Sequence, residues 1–228
     1  IRSGQIDRAV VVAYDMGVEP QALFYYAKLG LISSRHLKPF DKEHDGTILA
    51  EGAAAIVLES ESSLKARGAA SYGELVGGAT TNECLGLFSI ESEGQHLSQL
   101  INRTLELSQL NPQDIGMVVA HGNGNPKSDT SEIAAIQNSF AEDSPPITAF
   151  KWSMGHTLCA SGLVDAVMAS YALQKQCVPG IANLQKAYSE KPLNLSNSHK
   201  PLAKNTHALL INRGFAGMNV CLVIKACE

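Results

Sequence analysis

From about residue 156 to 174 the chain reads as one long helix carrying Ala, Ser, Gly, Leu, Val and Met around nearly its whole circumference. A helix without a polar face has to be buried, so the fold must build structure around it. The material for this lies in short apolar runs rich in β-branched residues, which predict strands at 9–13, 51–60, 71–78, 115–120, 147–150, 207–211 and 219–224. The run at 9–13 reads as a strand buried on both faces, as in a parallel sheet. Helices are predicted at 20–31, 62–67, 95–109 and 129–140; the third has a capping-box spacing at Ser92-x-x-Gln95 and a helical repeat at Leu97, Leu100, Ile101 and Leu105. Alternating strands and helices make this an α/β protein, a mixed β-sheet covered by helices with one helix buried.

A chain of 228 residues that is 45% hydrophobic and 18% charged has ordinary globular composition. Its net charge of −4 is spread along the sequence. No basic stripe or polybasic block marks a nucleic-acid or membrane partner, so small molecules and proteins are the expected partners. No apolar run has the roughly 18 to 20 residues of a membrane span, and no signal peptide is evident, which places the protein in the cytoplasm. The five cysteines, Cys84, Cys159, Cys177, Cys221 and Cys227, show neither disulfide nor zinc spacing and are expected to be reduced, mostly buried thiols. The sequence opens at Ile1 and runs directly into a strand, so it is expected to begin inside a fold.

Two segments carry chemistry. In VVAHGNGNPKSDTSE, His121 leaves a buried strand into a Gly/Asn/Pro turn, either as a loop histidine before a capped helix or as an imidazole open to a cleft. In FKWSMGHTLCASGLVDAV, Lys151 precedes His156 by five residues, and Asp165 stands in a helix otherwise apolar and small. A buried carboxylate costs several kcal/mol unless paired, and Lys151 is the natural partner. The arrangement suits a tuned site, with a purely structural ion pair as the alternative. If His156 starts the helix, the dipole disfavours imidazolium, and a neutral imidazole can donate to a developing oxyanion.

The ordered motifs PFD-x-x-x-DG-x-x-x-x-EGA, HG-x-x-x-x-x-x-D-x-x-E, K-x-x-x-GH-x-x-x-x-x-G and GF-x-G-x-N resemble the β-ketoacyl-acyl carrier protein synthases. The resemblance implies a thiolase-like fold, with residues 1–60 as the end of a first half and 61–228 as the whole second half. It implies decarboxylative Claisen condensation of malonyl-acyl carrier protein with an acyl thioester, in fatty acid or polyketide synthesis. It makes His121 and His156 the catalytic histidines, matches Lys151 and Asp165 to the family's buried lysine and acidic residue, and makes Phe215 the phenylalanine of the acyl-pocket loop. Asn123 and Asn125 stand where hydroxyls touch the substrate's pantetheine arm. Arg213 replaces a second aromatic and Ala216 a glycine. No cofactor and no metal is implied.

The family's Thr-Ala-Cys nucleophile segment is expected upstream of Ile1, so the chain is expected to be inactive without that N-terminal half. The implied partners are acyl carrier protein, the N-terminal half, and a second synthase unit in a homodimer or heterodimer. Two other readings stay open: a non-catalytic partner like the chain-length factors, and a Cys-His acyl hydrolase using Cys159 and His156.

Overall fold

The computed structural model describes residues 1–140, 144–189, 193–204 and 206–227. Strands β1 (Arg8–Met16) and β2 (Glu51–Glu59) pair antiparallel as a two-stranded sheet, with helix α1 (Pro20–Lys28) and the Pro39–Gly46 loop between them. Helix α2 (Glu61–Ala66) follows, closed by Arg8 and Arg67 on Glu59. The main sheet has five strands in the order β3 (Glu74–Asn82), β9 (Met218–Lys225), β8 (His207–Arg213), β4 (Ile115–Val119), β5 (Ile147–Thr148). Strand β4 runs parallel to β5 and β8, whereas β9 is antiparallel to both β8 and β3, so the sheet is mixed. A small antiparallel pair, β6 (Cys177–Val178) and β7 (Lys200–Pro201), lies apart from it.

The central strands β4 and β8 are buried on both faces, which explains why they read as continuous apolar runs, whereas the edge strand β3 has no buried residue. Leu209, Ile211, Cys221 and Val223 face helices α3 (Gln95–Leu107) and α4 (Pro126–Phe140) and meet Leu97, Ile101, Ile133 and Ile136. Met117, Val119, Ala208 and Leu210 face the other way, onto Ala166, Ala169 and Leu173 of helix α6 (Ser161–Gln174). The alanines let α6 approach closely, and its far side rests on β2. The layers run α3/α4, main sheet, α6, hairpin.

Three expectations need correction. Strand β1 is not buried on both faces: it is one arm of an antiparallel hairpin, and Val10, Val12 and Tyr14 are 70%, 61% and 70% exposed. The helix at 156–174 is broken. Lys151–Met154 forms a single turn, α5; Gly155 at φ +82° ends it, and α6 begins only at Ser161 after a 3-10 turn at Leu158–Ala160. Nor is α6 buried all round, since Val167 and Tyr171 are exposed. The capping box at Ser92 does not form, because Gly94 is the N-cap and the Glu91 carboxylate accepts from the Glu93 and Gln95 N–H groups.

Candidate active site

Strand β4 delivers His121, 2% exposed, at its carboxyl end, where an α/β sheet opens toward a ligand. The turn after it needs glycine. Gly122 and Gly124 have φ of +44° and +78°, and a Cβ on either would fall 2.6 Å from the Ala149 Cβ or 2.5 Å from the Gly46 oxygen. The turn is therefore wedged against the Pro39–Gly46 loop. Asn123 Oδ1 accepts from the Asn125 N–H, and Asn125 Oδ1 accepts from Lys127 N–H, so both side chains shape the start of α4.

Helix α4 sends two carboxylates back, three residues apart and on one face. Glu132, fully buried, accepts from the main-chain N–H groups of His121 (2.6 Å) and Gly122 (2.9 Å). Burial nonetheless raises its carboxyl to about 7, because the two N–H bonds and Arg213 do not offset the lost hydration. Asp129 accepts from Gly124 N–H, from Phe40 N–H at 2.8 Å and from His44 Nδ1 at 3.0 Å. His44 is thus buried, and its ring lies against Tyr188.

Lys151 follows β5. Its ammonium meets Asp165 Oδ2 of α6 at 3.0 Å, both side chains 2% exposed, so the expected pair forms. Burial pushes the Asp165 carboxyl up, opposed by Lys151 and Asn212. His156 does not start a helix. Its N–H bonds Ile48 oxygen at 2.7 Å and its oxygen accepts from Ala50 N–H at 3.0 Å, holding it extended beside Leu49, just ahead of β2. The dipole argument for its neutrality therefore fails. Burial first, and the Lys151 charge second, bring its pKa down to about 3. His121 is also driven well below the ordinary value, by burial and then by Lys151, His156 and Arg213.

The two imidazoles meet edge to face with centroids 5.3 Å apart. Each Nδ1 faces a main-chain donor, Arg213 N–H at 3.3 Å for His121 and Leu158 N–H at 3.2 Å for His156. A neutral ring that accepts at Nδ1 carries its proton on Nε2. Two Nε2–H donors in a site that disfavours their protonation form the kind of fixed pair that stabilises a developing oxyanion.

Phe215 lies in the turn between β8 and β9, 42% exposed, and its ring packs on Phe88 (5.3 Å) and Tyr26 (5.6 Å). Tyr25 and Tyr26 pack edge on. Cys159 is exposed and shares a hydrogen bond with Asp15 that raises its thiol pKa, the opposite of what a nucleophile needs. Cysteine burial was overestimated, since Cys84 and Cys227 are exposed too and only Cys221 is buried. Among the described residues no cluster of three or more His, Cys, Asp or Glu could hold a metal, and no helix is long and apolar enough to cross a membrane.

Sequence reading missed Glu83, Asn212 and the role of Arg213. Asn212 acts on both His121, whose pKa it raises, and Asp165, whose pKa it lowers, and so links the two halves of the site. Arg213 is buried, on Glu83. Glu83 lies in TNECLG, far from every motif, and nothing in that stretch marks it.

Comparison with known proteins identifies the family. Residues 72–185 match the family model described as beta-ketoacyl synthase, C-terminal domain, and residues 1–63 match its N-terminal domain. The 3-oxoacyl-[acyl-carrier-protein] synthase 2 of Mycobacterium bovis is 27% identical over 96% of this chain and 54% of its own. A solved type II polyketide synthase acyl-carrier protein in complex with its ketosynthase, bound to the hexaketide, is 28% identical with a TM-score of 0.94, over 100% of this chain and 58% of that one. The ishigamide ketosynthase/chain length factor is 25% identical with a TM-score of 0.92, over 100% and 56%. The chain spans about half the length of the curated relatives it matches.

Proposed function

Since the chain belongs to the β-ketoacyl synthase family, whose fold is thiolase-like, we propose that it supplies the decarboxylating and bond-forming side of a condensing acyltransferase. The observation that carries this is the pair of neutral imidazoles, 5.3 Å apart, each with Nδ1 taken by a main-chain N–H. Loss of carbon dioxide from a malonyl thioester breaks the bond to the carboxylate and leaves the electron pair on an enolate. The Nε2–H groups of His121 and His156 stabilise its oxygen. The enolate carbon then attacks the carbonyl of an acyl thioester, and the thiolate leaves. Lys151 and Asp165 hold the His156 turn, Phe215 borders the acyl chain, and Asn123 and Asn125 border the pantetheine arm.

The acyl group needs a thiolate carrier. Burial raises the Cys221 thiol, and Asp15 raises Cys159. We therefore assign the nucleophile to a part of the whole protein outside these 228 residues and expect no condensation by this chain alone. In that reading 1–60 closes a first half and 61–228 forms the second, the malonyl donor arrives on acyl carrier protein in the cytoplasm, and complete units pair as dimers. A non-catalytic partner has no use for a buried Lys–Asp pair beside two neutral histidines, which favours the enzyme over a chain-length-factor role.

The test is made in the whole protein. His156→Ala and His121→Ala are each expected to lower malonyl decarboxylation about 10²- to 10³-fold while acyl loading is largely spared. Parent-rate decarboxylation with failed loading would refute the assignment.

A further inference from the structure

Arg213 stands at the end of β8, one residue before the turn that carries Phe215. Its guanidinium is held by three partners, two of them distant in sequence and one across the β8–β9 turn. It meets Glu83 Oε1 at 2.9 Å, Asn219 Oδ1 at 3.0 Å and the Ser128 main-chain oxygen at 3.1 Å. Asn219 Nδ2 in turn donates to the same Glu83 oxygen, and the Glu83 N–H bonds Gly217 oxygen. The side chains of Arg213 and Glu83 are 6% and 2% exposed, so the planar fork is buried with each of its three nitrogens bonded. The main-chain N–H of this same residue is the donor to His121 Nδ1.

We propose that Arg213 is a positioning residue for His121: its guanidinium, locked between Glu83, Asn219 and Ser128, fixes the one main-chain N–H that commits the imidazole to its Nε2–H form. The consequence for condensation rests on the function proposed above; the positioning does not. An aromatic side chain at 213 could fill space but could not bond Glu83 and the Ser128 oxygen, so this coupling follows from the arginine itself. The charge acts in the same direction as the geometry, because Arg213, Lys151 and His156 all disfavour imidazolium at His121. The other groups against the histidine are Asn212, which favours the charged form, and Glu132 on its main-chain N–H. Asp165 stands behind Asn212 and Lys151.

The test uses the whole protein, labelled with ¹⁵N in histidine, and reads the tautomer and titration of His121 by NMR beside the pH profile of malonyl decarboxylation. Arg213→Met leaves Glu83 buried without its partner and can unfold the chain, so the Glu83→Gln/Arg213→Met double variant is the informative one. Parent protein is expected to show one Nε2–H form across roughly pH 5 to 8. In the double variant His121 is expected to populate both tautomers. Its titration is expected to rise by about one pH unit or more, moving the acid limb of decarboxylation to higher pH. Arg213→Lys keeps a charge without the fork and is expected to restore the acid limb but not the single tautomer. A double variant with the parent's single tautomer and parent acid limb overturns the proposal. If the tautomer changes as expected but parent protein decarboxylates no malonyl thioester, the positioning stands and the condensing function falls.

Discussion

Lys151 and Asp165 can be kept from water only together. Their Nζ and Oδ2 atoms are 3.0 Å apart with both side chains 2% exposed, so either one left alone is an uncompensated buried charge. Lys151→Ala is expected to cost about 3 to 5 kcal/mol in chemical denaturation, whereas Lys151→Met/Asp165→Leu should recover most of that loss. A single variant as stable as the parent would show that water reaches the pair. The neighbouring titrations act in opposite senses. His156 falls to about 3 in the fold from an unfolded value of 6.5, so the unfolded chain binds more protons between those limits and stability is lost as pH falls through that window. Glu132 rises to about 7 from 4.5, so its protonated form contributes stability that is complete below 4.5 and lost as pH rises toward 7. The two oppose each other between 4.5 and 6.5, and below 4.5 the histidine term acts without that opposition. His156→Gln is therefore expected to flatten the acid side of the stability curve, and Glu132→Gln to flatten the neutral side, in denaturation midpoints measured against pH. Unchanged slopes in both variants would contradict these assignments.

The break between α5 and α6 is what turns a stretch of helical residues into a site. Gly155 at φ +82° has Ala50 Cβ 2.7 Å from where its own Cβ would be, and the chain it releases bridges His156 to Leu49, just ahead of β2. Gly155→Ala is expected to shift that segment, and a displacement of about 1 Å at the imidazole is enough to lower decarboxylation roughly 10²-fold while the rest of the fold holds. A crystal structure of the variant with His156 unmoved and activity intact would rule this out. The break also marks the limit of what could be read from the sequence. Strands β4, β8 and β9 were legible as short apolar runs and helix α3 by its helical repeat, and Lys151 with Asp165 because a charge among apolar residues demands a partner. The residues of 156–160 suit a helix by composition, but the segment 48–50 ahead of β2, about a hundred residues earlier, bonds His156 and holds it extended before the 3-10 turn. Glu83, Asn212 and His44 were illegible for the same reason, since their partners are brought in by the sheet order and the interlocked loops.

At the scale of the molecule the hairpin is the unfinished part. Residues on its inner face lie against α6 and the 3-10 turn, with Gly52 held close to Thr157. On its outer face the register lines up Val10 with Val57, Val12 with Ala55 and Tyr14 with Ala53, an apolar surface open to solvent. Val57 is 62% exposed and Val10 70%, values that a two-stranded sheet does not sustain on a stable monomer without a partner to cover it. Helix α1 adds Phe24 at 64%. We expect the 228-residue chain, expressed alone, to associate through this face in sedimentation velocity. Val10→Lys/Val12→Lys/Val57→Glu is expected to shift it toward monomer with an unchanged far-UV circular dichroism spectrum, because the substituted side chains touch none of the core behind the hairpin. In the whole protein the same triple substitution is expected to be far more damaging, since the charges would then lie inside a covered layer next to the turn that holds His156. A parent chain that sediments as a stable monomer, or a whole protein that tolerates three charges at these positions with full activity, would show that nothing packs there and that the site is complete without a further layer.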